Sequence, residues 1–192
     1  NNKMSCDITN GRIEQCKDSV SGLKAIYFIN YDDLNSDSGL TYDNTDTDLI
    51  TSWEPPSAVI NLYKYELKGA NSFETTINSS RDNGTTFFQQ TLTIQLKRQD
   101  VATHKNVKLL AYGRPRIVVR TMTDQFFLMG LTQGADVTAG TVSSGSALGD
   151  FNGYNLTFEA MEVSPANFLD VSTEAQLKAL FEDGAGVDAQ IV

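Results

Sequence analysis

The residues able to do chemistry are few and badly spaced for it. His104 is the only histidine, and general acid–base work would need partners that the sequence does not place nearby. It falls on the apolar side of a predicted helix, and a packed or partly exposed structural histidine is the expectation. Cys6 and Cys16 are the only cysteines, and without histidine or carboxylate partners two thiols do not complete a tetrahedral metal site. They are either a disulfide across the turn marked by Thr9, Asn10 and Gly11, or two ordinary thiols of a reducing compartment. Asp43, Asp46 and Asp48, with Glu54 beyond them, have the composition of a calcium loop. The spacing fails, because Asp48 stands at the sixth position from Asp43, where an EF-hand needs glycine. A solvated acidic loop is the expectation. No GxSxG, HExxH, Walker or GxGxxG spacing occurs, so no catalytic residue, cofactor or metal is assigned, and the chain is not expected to be an enzyme. Asn78, Asn83 and Asn155 begin N-x-[ST] sequons, which matter only in a secreted eukaryotic protein.

Arg114, Arg116 and Arg120 form the most basic patch. Strand alternation sends all three to one face. That face either meets acidic loops of a neighbouring copy or is simply solvated.

The elements that position these residues are mostly strands. Leu23–Tyr31 is aromatic and β-branched and follows Gly22, a core strand. Residues 32–53 are dense in Asp, Asn, Ser, Thr and Gly, and read as a long loop or loosely packed hairpin. Val59–Leu67 alternates, with Tyr63, Tyr65 and Leu67 opposed to Lys64 and Glu66. Residues 73–81 and 85–97 make a β-hairpin around Asp82, Asn83 and Gly84, with Phe88, Gln90, Leu92, Ile94 and Leu96 on one side. Asp100 caps a helix over about 100–112, in which Val101, His104, Val107, Leu110 and Ala111 recur at helical spacing, and Gly113 and Pro115 end it. Ile117–Met122 and Phe126–Met129 form a tight hairpin. The Gly/Ser-rich stretch 130–150 reads as an exposed connection. Tyr154, Leu156, Phe158 and Ala160 line one side of a further strand, and Ser172 or Thr173 caps a short helix over about 173–182.

The fold class is therefore mainly β, a sandwich or barrel of six to eight strands with one flanking helix and a short C-terminal helix. Residues 1–20 are an N-terminal arm, 21–170 a single β domain with long loops 32–53 and 130–150, and 171–192 the C-terminal helix and tail. A chain of 192 residues buries roughly 70% of the surface it exposes when unfolded. With 15 Lys plus Arg against 24 Asp plus Glu, the net charge is 15 − 24 = −9, which disfavours tight binding to nucleic acid or anionic lipid. No apolar run approaches the roughly 20 residues of a membrane helix, and no signal-peptide layout is present, so a soluble protein without membrane insertion is expected.

The succession FFQQTLTIQLKR, a helix ending LLAYGRPRIVVR, then DQFFLMGLTQGADV, a Gly/Ser-rich stretch and GDFNGYNLTFEAMEVSPANFL resembles the tail tube proteins of bacteriophages over roughly residues 20 to 170. The resemblance implies a β-sandwich or barrel with a flanking helix, six copies closing into a ring, and rings stacking into a conduit through which genomic DNA passes without specific binding. It implies a location in the virion tail after synthesis in the bacterial cytoplasm. The implied partners are the chain itself and other tail proteins, namely tape measure, terminator and, where the tail contracts, sheath. Six copies would carry 6 × (−9) = −54 charges, repelling a polyanion from the walls. Within that reading the loops 32–53 and 130–150 make contacts between copies or rings, with Tyr42, Asp43, Asp46, Asp48 and Trp53 in the first loop, and Arg114, Arg116 and Arg120, as contact residues. The Cys6–Cys16 arm and the terminal helix match no general tube pattern. A tail-completion or stopper ring, a capsid-decorating domain or a host-surface-binding β domain is the alternative.

Overall fold

A computed structural model describes residues 8–35, 38–56, 58–182 and 186–192. Among them the chain is mainly β, with twelve strands in two sheets and two α-helices. The strands are β1 (Leu23–Ile29), β2 (Leu40–Tyr42), β3 (Leu49–Trp53), β4 (Val59–Glu66), β5 (Ser72–Ser80), β6 (Thr85–Lys97), β7 (Arg116–Thr121), β8 (Phe126–Met129), β9 (Asp136–Ser143), β10 (Gly153–Glu162), β11 (Asn167–Leu169) and β12 (Asp188–Ile191). The helices are α1 (Val101–Tyr112) and α2 (Glu174–Phe181).

Eight strands form a curled sheet in the order β12-β4-β1-β7-β8-β11-β3-β2, and four form a second sheet in the order β5-β6-β10-β9. The central strand β1 shows why they stack. In the run LKAIYFI, Ala25, Tyr27 and Ile29 join one core with Val118, Trp53 and the α2 residues Leu177, Leu180 and Phe181. Ile26 and Phe28 join a second core with Ile117, Val119 and the inward residues of the small sheet, Leu92, Ile94, Tyr154, Leu156 and Phe158. A strand buried on both faces is apolar throughout, and the large sheet is the middle of three layers: α2, eight strands, four strands.

The small sheet alternates instead. In β10 Tyr154, Leu156, Phe158 and Ala160 are buried while Asn155, Thr157 and Glu159 between them are half-buried, so one face meets the core and the other meets water. Gly153 begins this strand at φ +156°, where a Cβ would stand 2.0 Å from the Leu96 carbonyl oxygen, so only glycine lets β10 approach β6 there.

Both helices are capped from their own sequence. The Asp100 carboxylate accepts from the Thr103 N–H at 2.7 Å, and the Thr173 hydroxyl accepts from the Gln176 N–H at 3.3 Å. The Gln176 side chain reaches back to the Ser172 N–H at 2.8 Å, a reciprocal arrangement at the helix entrance. Helix α2 buries Leu177, Leu180 and Phe181 as its spacing predicts.

Several expectations need correction. Twelve strands are present rather than six to eight, since β2, β3, β9, β11 and β12 were not separable in sequence. The segment 32–53 is a hairpin whose second strand lies inside the large sheet beside β11, with Ile50 and Trp53 fully buried. The stretch 130–150 is not a featureless connection, because β9 pairs with β10 along its length. Helix α1 has no fully buried residue and Val101 is 90% exposed. Only its Thr103, Val107, Leu110 line is half-buried, with Val107 and Leu110 packed on the inter-sheet core. Residues 8–20 are exposed throughout and form no helix or strand. Cys16 is an exposed free thiol, and Cys6 lies outside the described residues.

Candidate assembly interface

Of the eight residues named as contacts, the fold uses several internally. Trp53 is fully buried and its indole N–H donates to the Asn35 carbonyl at 3.1 Å. Arg116 is 1% exposed. Its Nε donates to the Leu131 carbonyl, and one terminal nitrogen donates to the carbonyls of Tyr31 at 2.7 Å and Leu34 at 2.9 Å. The guanidinium also lies over the rings of Tyr31 and Trp53. Burial, opposed by nearby negative charge, pulls its pKa down. Neither residue is available to a neighbour: alternation placed Arg116 beside Val118 and Arg120 on one face of β7, but that face is covered by the rest of the fold.

Arg120 also points inward, over Phe126, and binds Asp124 at 2.6 Å and Glu174 at 3.6 Å. Glu174 further accepts from the Tyr27 hydroxyl at 2.7 Å and pairs with Lys64. Asp124 also pairs with Lys24. Burial raises the Glu174 carboxyl, but Lys64, Tyr27 and Arg120 outweigh it and hold it below the usual range. Burial foremost, then Glu174, pushes the Tyr27 phenol well above its ordinary value. This network fixes the first turn of α2 to the large sheet.

The remaining five residues are exposed or half-buried. Arg114 is exposed and stacks over the Tyr31 ring at 4.0 Å. Asp43 turns the β2–β3 connection, its Oδ1 accepting from the N–H groups of Thr45 and Asp46. Those bonds hold its carboxyl low, so its charge serves a turn. Asp46 accepts from the Asp48 N–H, and Tyr42 is half-buried on the edge strand β2. Asp46 and Asp48 line the same cavity as Asp124. Among the described residues no three His, Cys, Asp or Glu side chains gather in a metal-binding group, and no helix is long and apolar enough to cross a membrane.

The surface most in need of a partner is one that sequence reading passed over: the two edges of the small sheet. β5 has nine residues and β9 has eight, and among the described residues each is paired on one side only. Each edge also leaves an inward-facing apolar side chain uncovered. Ile77 of β5, opposite Phe88, is 66% exposed, and Val142 of β9, opposite Tyr154, is 47% exposed. Beneath β5 runs a cleft lined by Phe73, Phe127 and Phe168, whose rings stand 6.1 and 4.4 Å apart in sequence along it.

The outward face of this sheet is nearly uncharged. Register places Thr91, Thr93, Gln95, Asn155 and Thr157 there, with Glu74, Asp136, Glu159 and Lys97 as the charged side chains. The strand face thus carries 1 − 3 = −2 per copy, and no arginine. The sequence signal for β9 was present in Val137, Thr138, Ala139 and Val142, but a register shift opposite Thr157 and Phe158 breaks its alternation and Gly140 dilutes it. Compared with family models, with curated proteins and with solved structures, the chain matches none.

Proposed function

We propose that the protein is a structural, self-assembling subunit that closes into rings through the edges of its small sheet, and that stacked rings form a phage tail tube. The observation that carries this reading is the pair of long, unpaired, length-matched edges, β5 and β9, each with an uncovered apolar residue on its inner side.

Strand direction supports ring closure. The three successive pairings β5–β6, β6–β10 and β10–β9 are all antiparallel, so β5 and β9 run in opposite senses. Rotation about one axis preserves each copy's sense along that axis. The β5 of one copy therefore meets the β9 of the next antiparallel, and the alternating ladder continues unbroken. Such a contact is heterologous and closes when the rotation divides a full turn.

With the six copies implied by the resemblance, 6 × 4 = 24 strands would form a closed barrel. At ~4.8 Å between strands and a tilt of ~45°, the barrel is roughly 50 Å across. Barrels of about 16–18 strands already leave an aqueous channel. The large sheet and α2 would lie outside, and the Thr, Gln and Asn face would line the bore. A wall without arginine and with a slight negative excess offers DNA few phosphate contacts, which suits passage rather than binding. In this reading the protein's activity is geometric and needs no reaction chemistry, its site of action is the virion tail, and its partners are its own copies and other tail proteins.

Electron microscopy of the purified protein, with sedimentation velocity across a concentration series, tests the proposal. Hollow tubes or rings with a central bore are expected. Persistent monomers, two-fold dimers joined through like edges, or three-fold trimers would refute it, the last favouring a decoration role.

A further inference from the structure

We propose that residues 8–20 of one copy dock in the groove between α1 and β4 of another, with Ile13 as the apolar anchor and Arg12 and Glu14 meeting charges at its rim. This deepens the self-assembly reading and rests on it for the position of the second copy.

The arm is a described segment with nothing to hold it. Every residue from 8 to 20 is exposed, with Ile8 at 96%, Ile13 at 88% and Val20 at 62%. None makes a hydrogen bond or ion pair with another described residue. Isolated apolar side chains spaced along an unsupported polar segment are the form of a peptide that gains order on a partner.

The receiving surface is an open groove of about 1010 Å³. Tyr63, Tyr65 and Leu110 line it, and Leu109 leaves 57% of its surface to water beside them. Charges of both signs accompany this apolar lining: Asp32 and Asp33 from the turn after β1, and Arg114 from the segment after α1. None of the three forms an ion pair among the described residues. The arm presents the matching order, a cation and an anion on either side of an apolar residue. Burial already raises the Asp33 carboxyl, so an arriving Arg12 meets a carboxylate that gains from a cationic partner. The Phe73, Phe127 and Phe168 cleft is the weaker receiver, since Glu74 is its only charged lining residue and ring closure would cover it.

Geometry favours a second copy over the arm's own groove. The arm leaves the body at the start of β1, and the groove takes Phe28 and Asn30 from the other end of that strand. Seven residues of β1 separate the two by ~23 Å, so the arm would have to double back along its own sheet. A copy placed above, with the start of its β1 toward this groove, supplies Ile13 directly. Such head-to-tail contact repeats along an axis and stacks rings.

Cross-linking reads the contact. In a Cys6→Ser background, Leu109→Cys puts a thiol on the groove lip, and the native Cys16 lies three residues beyond Ile13. A short bis-maleimide should give covalent dimers and higher multimers that vanish with Cys16→Ser, and none when the second thiol is instead Thr91→Cys on the polar face of the small sheet. Links within single chains, or no link, would overturn the proposal. Deleting residues 1–20 should leave rings while shortening tubes at least tenfold. If the deleted chain builds tubes of full length, arm docking fails and edge closure stands. If even the full chain makes no rings, edge closure fails and the cross-link still decides whether arm and groove meet.

Discussion

Replacing Ile77 by lysine separates assembly from folding. Ile77 is on the free edge of the small sheet, on its inner side, and 66% exposed. In the isolated chain the lysine stem lies along the same surface with its ammonium in water, and the cost is no more than about 1 kcal/mol, mostly β propensity. In a ring the same position is covered by the neighbour's β9. Full burial of an isoleucine contributes about 1.5–3 kcal/mol, so covering the exposed two-thirds contributes ~1–2 kcal/mol per interface. A six-copy ring closes six interfaces at once, which brings the loss to ~6–12 kcal/mol per ring before any penalty for desolvating the ammonium. That exceeds a ten-thousandfold change in the ring's equilibrium constant. Sedimentation velocity and electron microscopy should therefore show monomers at concentrations where the unsubstituted chain assembles, while thermal melts of the two monomers nearly coincide. Thr76→Lys, one residue away on the bore-facing side, serves as the control and should still assemble. If Ile77→Lys builds rings at the same concentration as the unsubstituted chain, the inner side of β5 is not in the contact and edge closure as described is wrong.

Two further outcomes test the frame behind that edge. Arg116→Leu leaves the carbonyls of Tyr31, Leu34 and Leu131 without their donors; urea unfolding should show a loss of about 3–5 kcal/mol, and a loss under about 1 kcal/mol would refute the role assigned to this arginine. Glu174→Gln removes one charge from the α2 network, at a cost of roughly 1 kcal/mol or less at neutral pH given its partial exposure. Because the folded Glu174 carboxyl is held low, its contribution is present above the unfolded pKa of about 4.3 and is lost as pH falls through the lower folded value. Melting curves of the two proteins should thus converge in acid, and parallel curves down to the lowest pH would show that the network does not couple to this carboxyl.

What the sequence disclosed depended on whether a strand keeps one face in water. β6 and β10 do, so their period of two was plain, and so were the β5–β6 turn and both helix caps. β1 is covered on both sides, and its unbroken apolar run could mark a strand but not the two layers it separates. The arginines of β7 show the same limit from the other direction. Arg116 and Arg120 do share a face, but alternation reports direction only. Whether that direction ends in solvent depends on the turn after β1 and on α2, which arrive from distant parts of the chain. The polar segment 32–53 misled because Leu34, Ile50 and Trp53 are scattered among many turn formers, yet each sits buried in the core. β11 and β12, of three and four residues, are too short for any periodicity to register.

The contrast between the two sheets is the strongest argument that the small one is built to be continued. Edge strands of proteins that stay apart are kept short, carry lysine or proline, or are bent by bulges. The large sheet follows that practice: its edges are β2, with three residues and a register shift, and β12, with four residues and a leading aspartate. The small sheet follows it only in one respect, the register shift of β9 opposite Thr157 and Phe158. β5 is SFETTINSS and β9 is DVTAGTVS, with no proline, no lysine and one carboxylate each, the β9 one at its first residue. Both are long enough to template a full ladder. This contrast within one chain supports the proposed closure through the edges of the small sheet. A monomer would gain stability against aggregation from a single lysine at Ile77, the substitution that edge closure cannot accept.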